Sequence, residues 1–443
     1  MKVTRLPRDP GPAAWNCLLE PARPACEAEG PIVADWLVIG AGFAGLAAAR
    51  RLSELCPGDR IVVLEACRVA EGPAGRNSGF MIDLPHDLTS EDYGGALDHD
   101  LKLTADNRHA IGFAARMAQE FSLSEEAFAT SGKINGAATE KGHIHNKKFA
   151  QHLESMGEPF EMLDGRQMRE LTGTDYYRSG LFTKGSVMLQ PAMFVRGVAN
   201  GLASNRVRIF ESSPVVALER RGDWIATTPR GRVTAPKVIL AVNGHLNSFG
   251  FAKNRLMHVF TYASMTRSLS EDEVNRLGGA PIWGLTPADP LGTTVRRING
   301  VGGARIVIRN RFTYDPSMEV SNAKLARIVR SHDRSFAARF PMLAGVEMEY
   351  RWGGRLCLSR NNVNLVGEVD TGLFTACCQN GLGTTRGTLS GMLAAELATS
   401  TPSARLDRAV AAAAPVELPP APIARIGATA VLKWQEYRAG GEL

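Results

Sequence analysis

Two apolar runs of four residues, Trp36-Leu37-Val38-Ile39 and Ile61-Val62-Val63-Leu64, are too short for helices. Bounded as they are by turn residues, they predict strands buried on both faces. The stretch between them predicts a helix that Pro57 and Gly58 bring to an end. Gly40, Gly42 and Gly45 follow the first strand with the spacing G-x-G-x-x-G, and Glu65 closes the second strand twenty residues after Gly45. The glycines serve a sharp turn, close approach of backbone to phosphate, and close packing of helix on sheet. With Phe43 and Ala44 at the helix start and Ala66 beside the acid, the pattern predicts a βαβ unit that holds a dinucleotide on the helix N-terminus. A carboxylate at position 65 accepts from ribose hydroxyls and repels a 2′-phosphate, which argues against NADP.

Further along, the patterning changes character. Residues 90–180 carry helical periodicity, notably at 99–122 and 147–157, and 185–203 reads as a loop leading into a helix near Pro191. Residues 207–245 read as three or four short strands with turns at Arg221-Gly222-Asp223 and Pro229-Arg230-Gly231. An NAD enzyme would continue with regular βα units, so this break in alternation favours FAD. Strand-like runs at 258–269 and 304–315 and a helical pattern at 322–340 predict a mostly antiparallel second domain. An apolar strand at 373–376 leads into Asn380-Gly381-Leu382-Gly383-Thr384-Thr385, which opens a helix, and a stiff proline-rich link from Pro415 to Pro422 precedes a last helical pattern.

Composition narrows the class. The 443 residues allow two or three domains, with 44% hydrophobic and 22% charged residues as in ordinary soluble chains. No apolar run approaches the ~20 residues of a membrane span, and the basic N-terminus lacks a signal-peptide core, so cytoplasmic residence is the default. Residues 1–34 are rich in proline; composition leaves open whether they lie extended across the first domain or form a disordered leader. Seven cysteines without a C-x-x-C pair argue for reduced thiols, and nine histidines without ligand spacing argue for no metal. A net charge of +6 and a pI near 9.0 fit an acidic substrate or a nucleic acid.

After Glu65, residues 67–88 carry Gly72 and the run Gly75-Arg76-Asn77-Ser78-Gly79, a permissive loop beyond the carboxyl end of the strand. GRNSG trailing a strand that ends in Glu resembles the flavin-contacting loop of the D-amino-acid-oxidase-like FAD oxidoreductases. The similarity is nearest to the branch containing gamma-glutamylputrescine oxidase and related amine oxidases, whose members carry G-R-N-G-G; Ser78 stands for one glycine. Further blocks follow in the family's order. The resemblance implies an adenine contact at Val215 and Val216, a return to the flavin at Asn243 and Gly244, and flavin contacts at Gly354, Arg355 and the 380–384 turn. That second glycine turn offers amides and a helix N-terminus to the charge that collects at flavin N1 and O2. The cysteine that bonds the flavin in the sarcosine-oxidase branch aligns near Gly354, with Cys357 a few residues later, which implies non-covalent FAD. Leu382 replaces the usual histidine and Thr385 the substrate lysine of that branch, which argues against a carboxylate site on the same plan.

The fold implied is α/β, a two-domain flavoprotein with a discontinuous Rossmann-like FAD domain and a substrate domain built on a mostly antiparallel sheet. Cofactor segments are expected at 1–95, 185–247 and 351–400, a helical insertion at 96–184 that supplies helices around the back of the cofactor domain and part of the substrate domain, the rest of the substrate domain at 248–350, and a linker and helix at 401–443, with the helix packed on the FAD domain. The activity implied is oxidation of the C–N bond of a small amine or amino acid to an imine, with hydride passing to flavin N5. Oxygen or another electron acceptor, alone or within a complex, completes the cycle. A tRNA-modifying domain is the remaining alternative, but 51 Lys and Arg interspersed with 45 Asp and Glu form no basic block. Arginines crowd the second domain, and Arg305, Arg309 and Arg311 alternate along one strand, suited to an anionic substrate. His258, Tyr262, Arg296, Arg305 and Thr385 are the substrate candidates.

Overall fold

The apolar runs become the centre of a parallel sheet because every residue in them is covered. Strands Trp36–Ile39 and Ile61–Leu64 pair in register, Trp36 beside Ile61 and Ile39 beside Leu64, and all eight side chains are buried. The computed structural model describes residues 1–86 and 93–443. Of the segment 90–180 read as helical, residues 90–92 lie outside the described residues.

Six strands form this sheet in the order Leu365–Asp370, Leu373–Cys377, Lys237–Leu240, Trp36–Ile39, Ile61–Leu64 and Val207–Phe210. All run parallel except the edge strand Leu365–Asp370. Strand alternation divides its side chains. Trp36, Val38, Ile61 and Val63 pack under helices Phe43–Leu55 and Pro191–Leu202, while Leu37, Ile39, Val62 and Leu64 join Trp224 and Val233 of a smaller sheet on the opposite face. That smaller sheet is an antiparallel meander, Ala217–Arg221, Asp223–Thr227 and Gly231–Ala235, extended by Gly30–Val33. The proline-rich leader is therefore structural. Its strand pairs with 231–235, and Trp15 is fully buried and donates to the Asn77 carbonyl at 2.9 Å.

A second sheet of eight strands begins with Met348–Ser359, Leu256–Thr266, Gly303–Tyr314, Thr294–Gly300 and Trp283–Pro287, and ends with Lys133–Ala137, Ser179–Thr183 and Glu161–Asp164. Its pairs are antiparallel except Trp283–Pro287 with Lys133–Ala137. The structure thus has the α/β, two-domain architecture expected. Met348–Ser359, which spans the expected boundary at 351, is a strand of this second sheet. Helix Leu97–Glu120, within the expected helical insertion, packs on Thr385–Ala398 and Pro191–Leu202. The terminal helix Ala421–Ala439 packs on strand Gly303–Tyr314 and not on the cofactor domain, because Leu432 and Ala439 join Val259 and Phe312, and Glu436 pairs with Arg311 at 3.0 Å.

Helix Thr385–Ala398 lies against Phe43–Leu55 almost backbone to backbone. A Cβ at Gly391 would stand 2.0 Å from the Ala44 carbonyl oxygen, a distance no side chain tolerates. Gly391→Ala is therefore expected to lower unfolding stability by about 1–3 kcal/mol and to weaken flavin retention, whereas Gly58→Ala, with no neighbour within 4 Å, leaves the melting temperature unchanged. Three buried imidazoles make the fold acid-sensitive. Burial pushes His245 down to about 2, His258 to about 4 and His332 to about 3. Each stays neutral when folded and takes a proton when unfolded, so their contribution is intact above the unfolded value near 6.5 and is lost as pH falls below it, by up to ~1.4 kcal/mol per histidine per pH unit. Chemical denaturation from pH 7 to pH 4.5 should show this steep fall, shallower in His332→Gln.

Candidate functional site

The first glycine turn is held by steric necessity. Gly40 has φ +105°, and a Cβ there would approach the Ala241 carbonyl oxygen to 2.6 Å. A Cβ on Gly45 would stand 1.7 Å from the Gly40 carbonyl oxygen, so the helix reaches the strand only through glycine. Helix Phe43–Leu55 starts at Gly42 with no side-chain cap, leaving its first amides and positive dipole end facing a long cavity. At the end of the next strand the Glu65 carboxylate accepts from the Ala41 amide at 2.8 Å and the Cys67 amide at 3.0 Å. Burial pushes its pKa up, opposed by these amides.

A second helix N-terminus meets the same cavity beside the first, with Gly387 in its first turn against Phe43 and Ala44. Asn380 and Gly381 take left-handed conformations, φ 49° and 83°, and turn the chain into helix Thr385–Ala398, which also lacks a side-chain cap. Thr384 donates to the Phe80 carbonyl at 2.5 Å and so ties this turn to the GRNSG segment. Within that segment Asn77 donates to the Ala74 carbonyl at 2.6 Å and accepts from the Gly79 amide at 2.7 Å, a closed loop that sets its shape.

Most of the expected cofactor residues line this one cavity. Gly40, Gly42, Phe43 and Ala44 form its floor at the first turn, with Glu65 and Ala66 beyond. Asn77, Ser78, Val215, Asn243 and Gly244 border it, as do Arg355 and the turn Asn380, Gly381, Leu382, Gly383 and Thr384. Five others stand behind the wall. Gly45 permits helix packing, and Gly75 permits the loop, since a Cβ there would lie 1.8 Å from the Ala70 oxygen. Arg76 is buried with its guanidinium donating to the carbonyls of Glu71, Pro10, Gly11 and Gly353; it is a loop anchor. Val216 bonds through its backbone to Val3 and Thr227, and Gly354 packs on Arg76.

None of the five substrate candidates lines the cavity, and each has a physical reason. Arg296 reaches back from the substrate sheet to the carbonyls of Ser78 at 3.0 Å and Leu189 at 2.6 Å, between the rings of Trp15 and Phe80. Arg305 pairs with Glu349 and donates to the Thr266 carbonyl at 2.7 Å. The Tyr262 hydroxyl is spent on Thr313 at 2.5 Å, His258 is buried behind Gly244, and Thr385 is fully buried in its helix. A bulge between Asn310 and Phe312, with Arg311 at φ 62°, breaks the alternation expected for the three arginines and sends Arg311 to Glu436.

Arg309 alone of the three enters the cavity, beside its cross-strand neighbour Thr294 and near His86, Tyr93, Thr286 and Pro287. Among the described residues it has no hydrogen-bond or carboxylate partner, and its guanidinium lies over the Phe312 ring, 4.7 Å from the centroid. Burial lowers it to about 10, so it remains a cation at neutral pH. The His86 ring stacks on Tyr93 with centroids 4.3 Å apart, and burial pushes its pKa well below the usual value. The Thr286 hydroxyl donates to Asn135 at 2.8 Å, an oxygen that also accepts from the buried Lys133, and Thr286 lines the cavity. Strand parity was the one sequence signal for Arg309; nothing in the spacing of His86, Tyr93, Thr286 and Thr294 joins them.

The cavity fits a dinucleotide with a flavin: two uncapped helix ends for charge, a carboxylate for the ribose, and an apolar stretch at Phe80, Ile82 and Leu382 for a ring system. The comparisons agree. A family model described as FAD dependent oxidoreductase matches residues 35–397. The chain is similar to gamma-glutamylputrescine oxidoreductase of Escherichia coli (strain K12), 26% identical over 374 residues, 83% of this chain and 84% of the relative. Its fold is similar to glycine oxidase from Geobacillus kaustophilus, TM-score 0.68 at 17% identity over 84% of this chain and 96% of that one. L-amino acid deaminase from Proteus myxofaciens superposes with TM-score 0.68 at 16% identity, covering 91% and 98%. A family model matched across both glycine turns and the substrate sheet shows that this chain belongs to the DAO family of FAD-dependent oxidoreductases.

Proposed function

We propose that this flavoenzyme oxidises the C–N bond of a small amine or amino acid that carries an anionic group, giving an imine that water hydrolyses to a carbonyl product and the released amine. One observation carries the anionic class: the Arg309 guanidinium at the substrate-domain end of the cavity, which has no hydrogen-bond or carboxylate partner among the described residues. A buried cation without an acid is costly, and a carboxylate or comparable anion repays it by bidentate hydrogen bonds. The relatives' names point to the same chemistry, a gamma-glutamyl amine, glycine and L-amino acids.

FAD, when bound, supplies the acceptor for the hydride that leaves the substrate carbon. Everything else falls to the chain. Gly42, the Thr385 helix end and Glu65 hold the cofactor; Arg309 holds the anion; the Thr286 hydroxyl oxygen accepts from the substrate N–H. Phe80, Ile82 and Tyr93 exclude water from the reacting carbon. An amine that arrives neutral needs no protein base, and no side chain is assigned that part.

Anaerobic mixing with a panel of amines, amino acids and aminosulfonates should bleach the flavin absorbance with anionic members first. Rapid recovery on admitting air identifies oxygen as acceptor; slow recovery identifies another. Arg309→Gln is expected to raise KM for that substrate by roughly 30- to 150-fold, about 2–3 kcal/mol, with flavin content unchanged. An unaltered KM would remove the anionic class, and a panel without any bleaching would remove amine oxidation.

We also infer that the flavin is held without a covalent bond. Cys357 lines the cavity, but hydrogen bonding with Cys378 and burial push its thiol pKa well up, so it stays protonated and a poor nucleophile. Acid precipitation should leave all the yellow colour in the supernatant; a yellow pellet would contradict this.

A further inference from the structure

Helix Ala421–Ala439 is apolar on both sides. Its inner side, Leu432 and Ala439, packs on the substrate sheet, yet Ile423, Ile426, Trp434 and Tyr437 are 61%, 72%, 60% and 78% exposed. At about 100° per residue these four fall on one stripe with exposed Ala430 at its centre. Trp434 and Tyr437 stack with centroids 6.0 Å apart, which joins them in one aromatic patch. An exposed apolar stripe on a helix whose other side is already packed marks a contact surface.

Charge decides the partner. Exposed Lys433 and Arg438 fall on either flank of the stripe, whereas Arg425 lies on the other side of the helix. The single acid of the helix, Glu436, is spent on Arg311 and the Phe312 amide. A second copy of the stripe would bring two more flanking cations and no free acid. The partner has to be apolar beneath and anionic at its surface, which describes the headgroup boundary of an anionic bilayer. Tryptophan and tyrosine suit that boundary, with lysine and arginine heads reaching outward to phosphates.

We propose that this helix is a membrane-docking element that lies in the plane of an anionic lipid surface, inserting Ile423, Ile426, Trp434 and Tyr437. No helix among the described residues is long and apolar enough to cross a membrane, so the contact is peripheral. The inference rests on the helix alone and stands apart from the substrate assignment.

The test is co-sedimentation of the flavin-loaded full chain with vesicles of phosphatidylcholine and phosphatidylglycerol, against vesicles of phosphatidylcholine alone. Binding is expected only to the former, weakening as salt shortens the screening length to ~3 Å near 1 M. Ile426→Glu with Trp434→Glu should cut the bound fraction about tenfold or more, with flavin spectrum and turnover unchanged because both side chains face solvent. Lys433→Gln should weaken binding less. Absence of binding to the anionic vesicles, or equal binding by the double variant, overturns the proposal. So does a doubled mass by light scattering that the double variant halves, which would make the stripe a contact between copies.

Discussion

Two helices that touch backbone to backbone are the constraint on which this molecule depends. Gly391 against the Ala44 carbonyl and Gly45 against the Gly40 carbonyl remove the side-chain layer that ordinarily separates helix from helix and helix from strand. The consequence is electrostatic. The N-termini of helices Phe43–Leu55 and Thr385–Ala398, both without side-chain caps, open onto one cavity, a setting suited to a cofactor charged at its pyrophosphate and, once reduced, at flavin N1 and O2.

The substrate sheet is fastened to that cradle by a buried cation. Arg296 extends from its strand to the carbonyls of Ser78, Gly79 and Leu189 and fills the space between Trp15 and Phe80. It therefore connects the leader, the GRNSG loop and the sheet on which Arg309 stands. Arg296 and Arg309 lie on neighbouring strands of the same face with opposite fates: one is satisfied by backbone oxygens, the other has no hydrogen-bond or carboxylate partner among the described residues. Only the second has hydrogen-bonding capacity left for a substrate.

Legibility in the sequence followed the locality of the interaction. The βαβ unit, its glycines and Glu65 were readable because turn, helix and terminal acid lie within about thirty residues and each answers to a local rule. The substrate end was misread because its arginines are chemically alike and differ only in what surrounds them. Arg305 meets Glu349 and Arg311 meets Glu436 across long sequence separations. The bulge at Arg311 that interrupts the alternation leaves no mark in composition.

By itself, then, the sequence determined the parallel core, the dinucleotide turn and the family to which the chain belongs, since apolar runs, glycine spacing and motif order are properties of contiguous residues. Tertiary structure alone decided which arginine faces the cavity, that His86, Tyr93, Thr286 and Thr294 meet there, and that the terminal helix rests on the substrate sheet with an apolar stripe turned outward. Those outcomes depend on which distant carbonyl or carboxylate claims each donor, and on which of two apolar helix faces finds a partner within the chain. Such competition is settled only when the chain is folded.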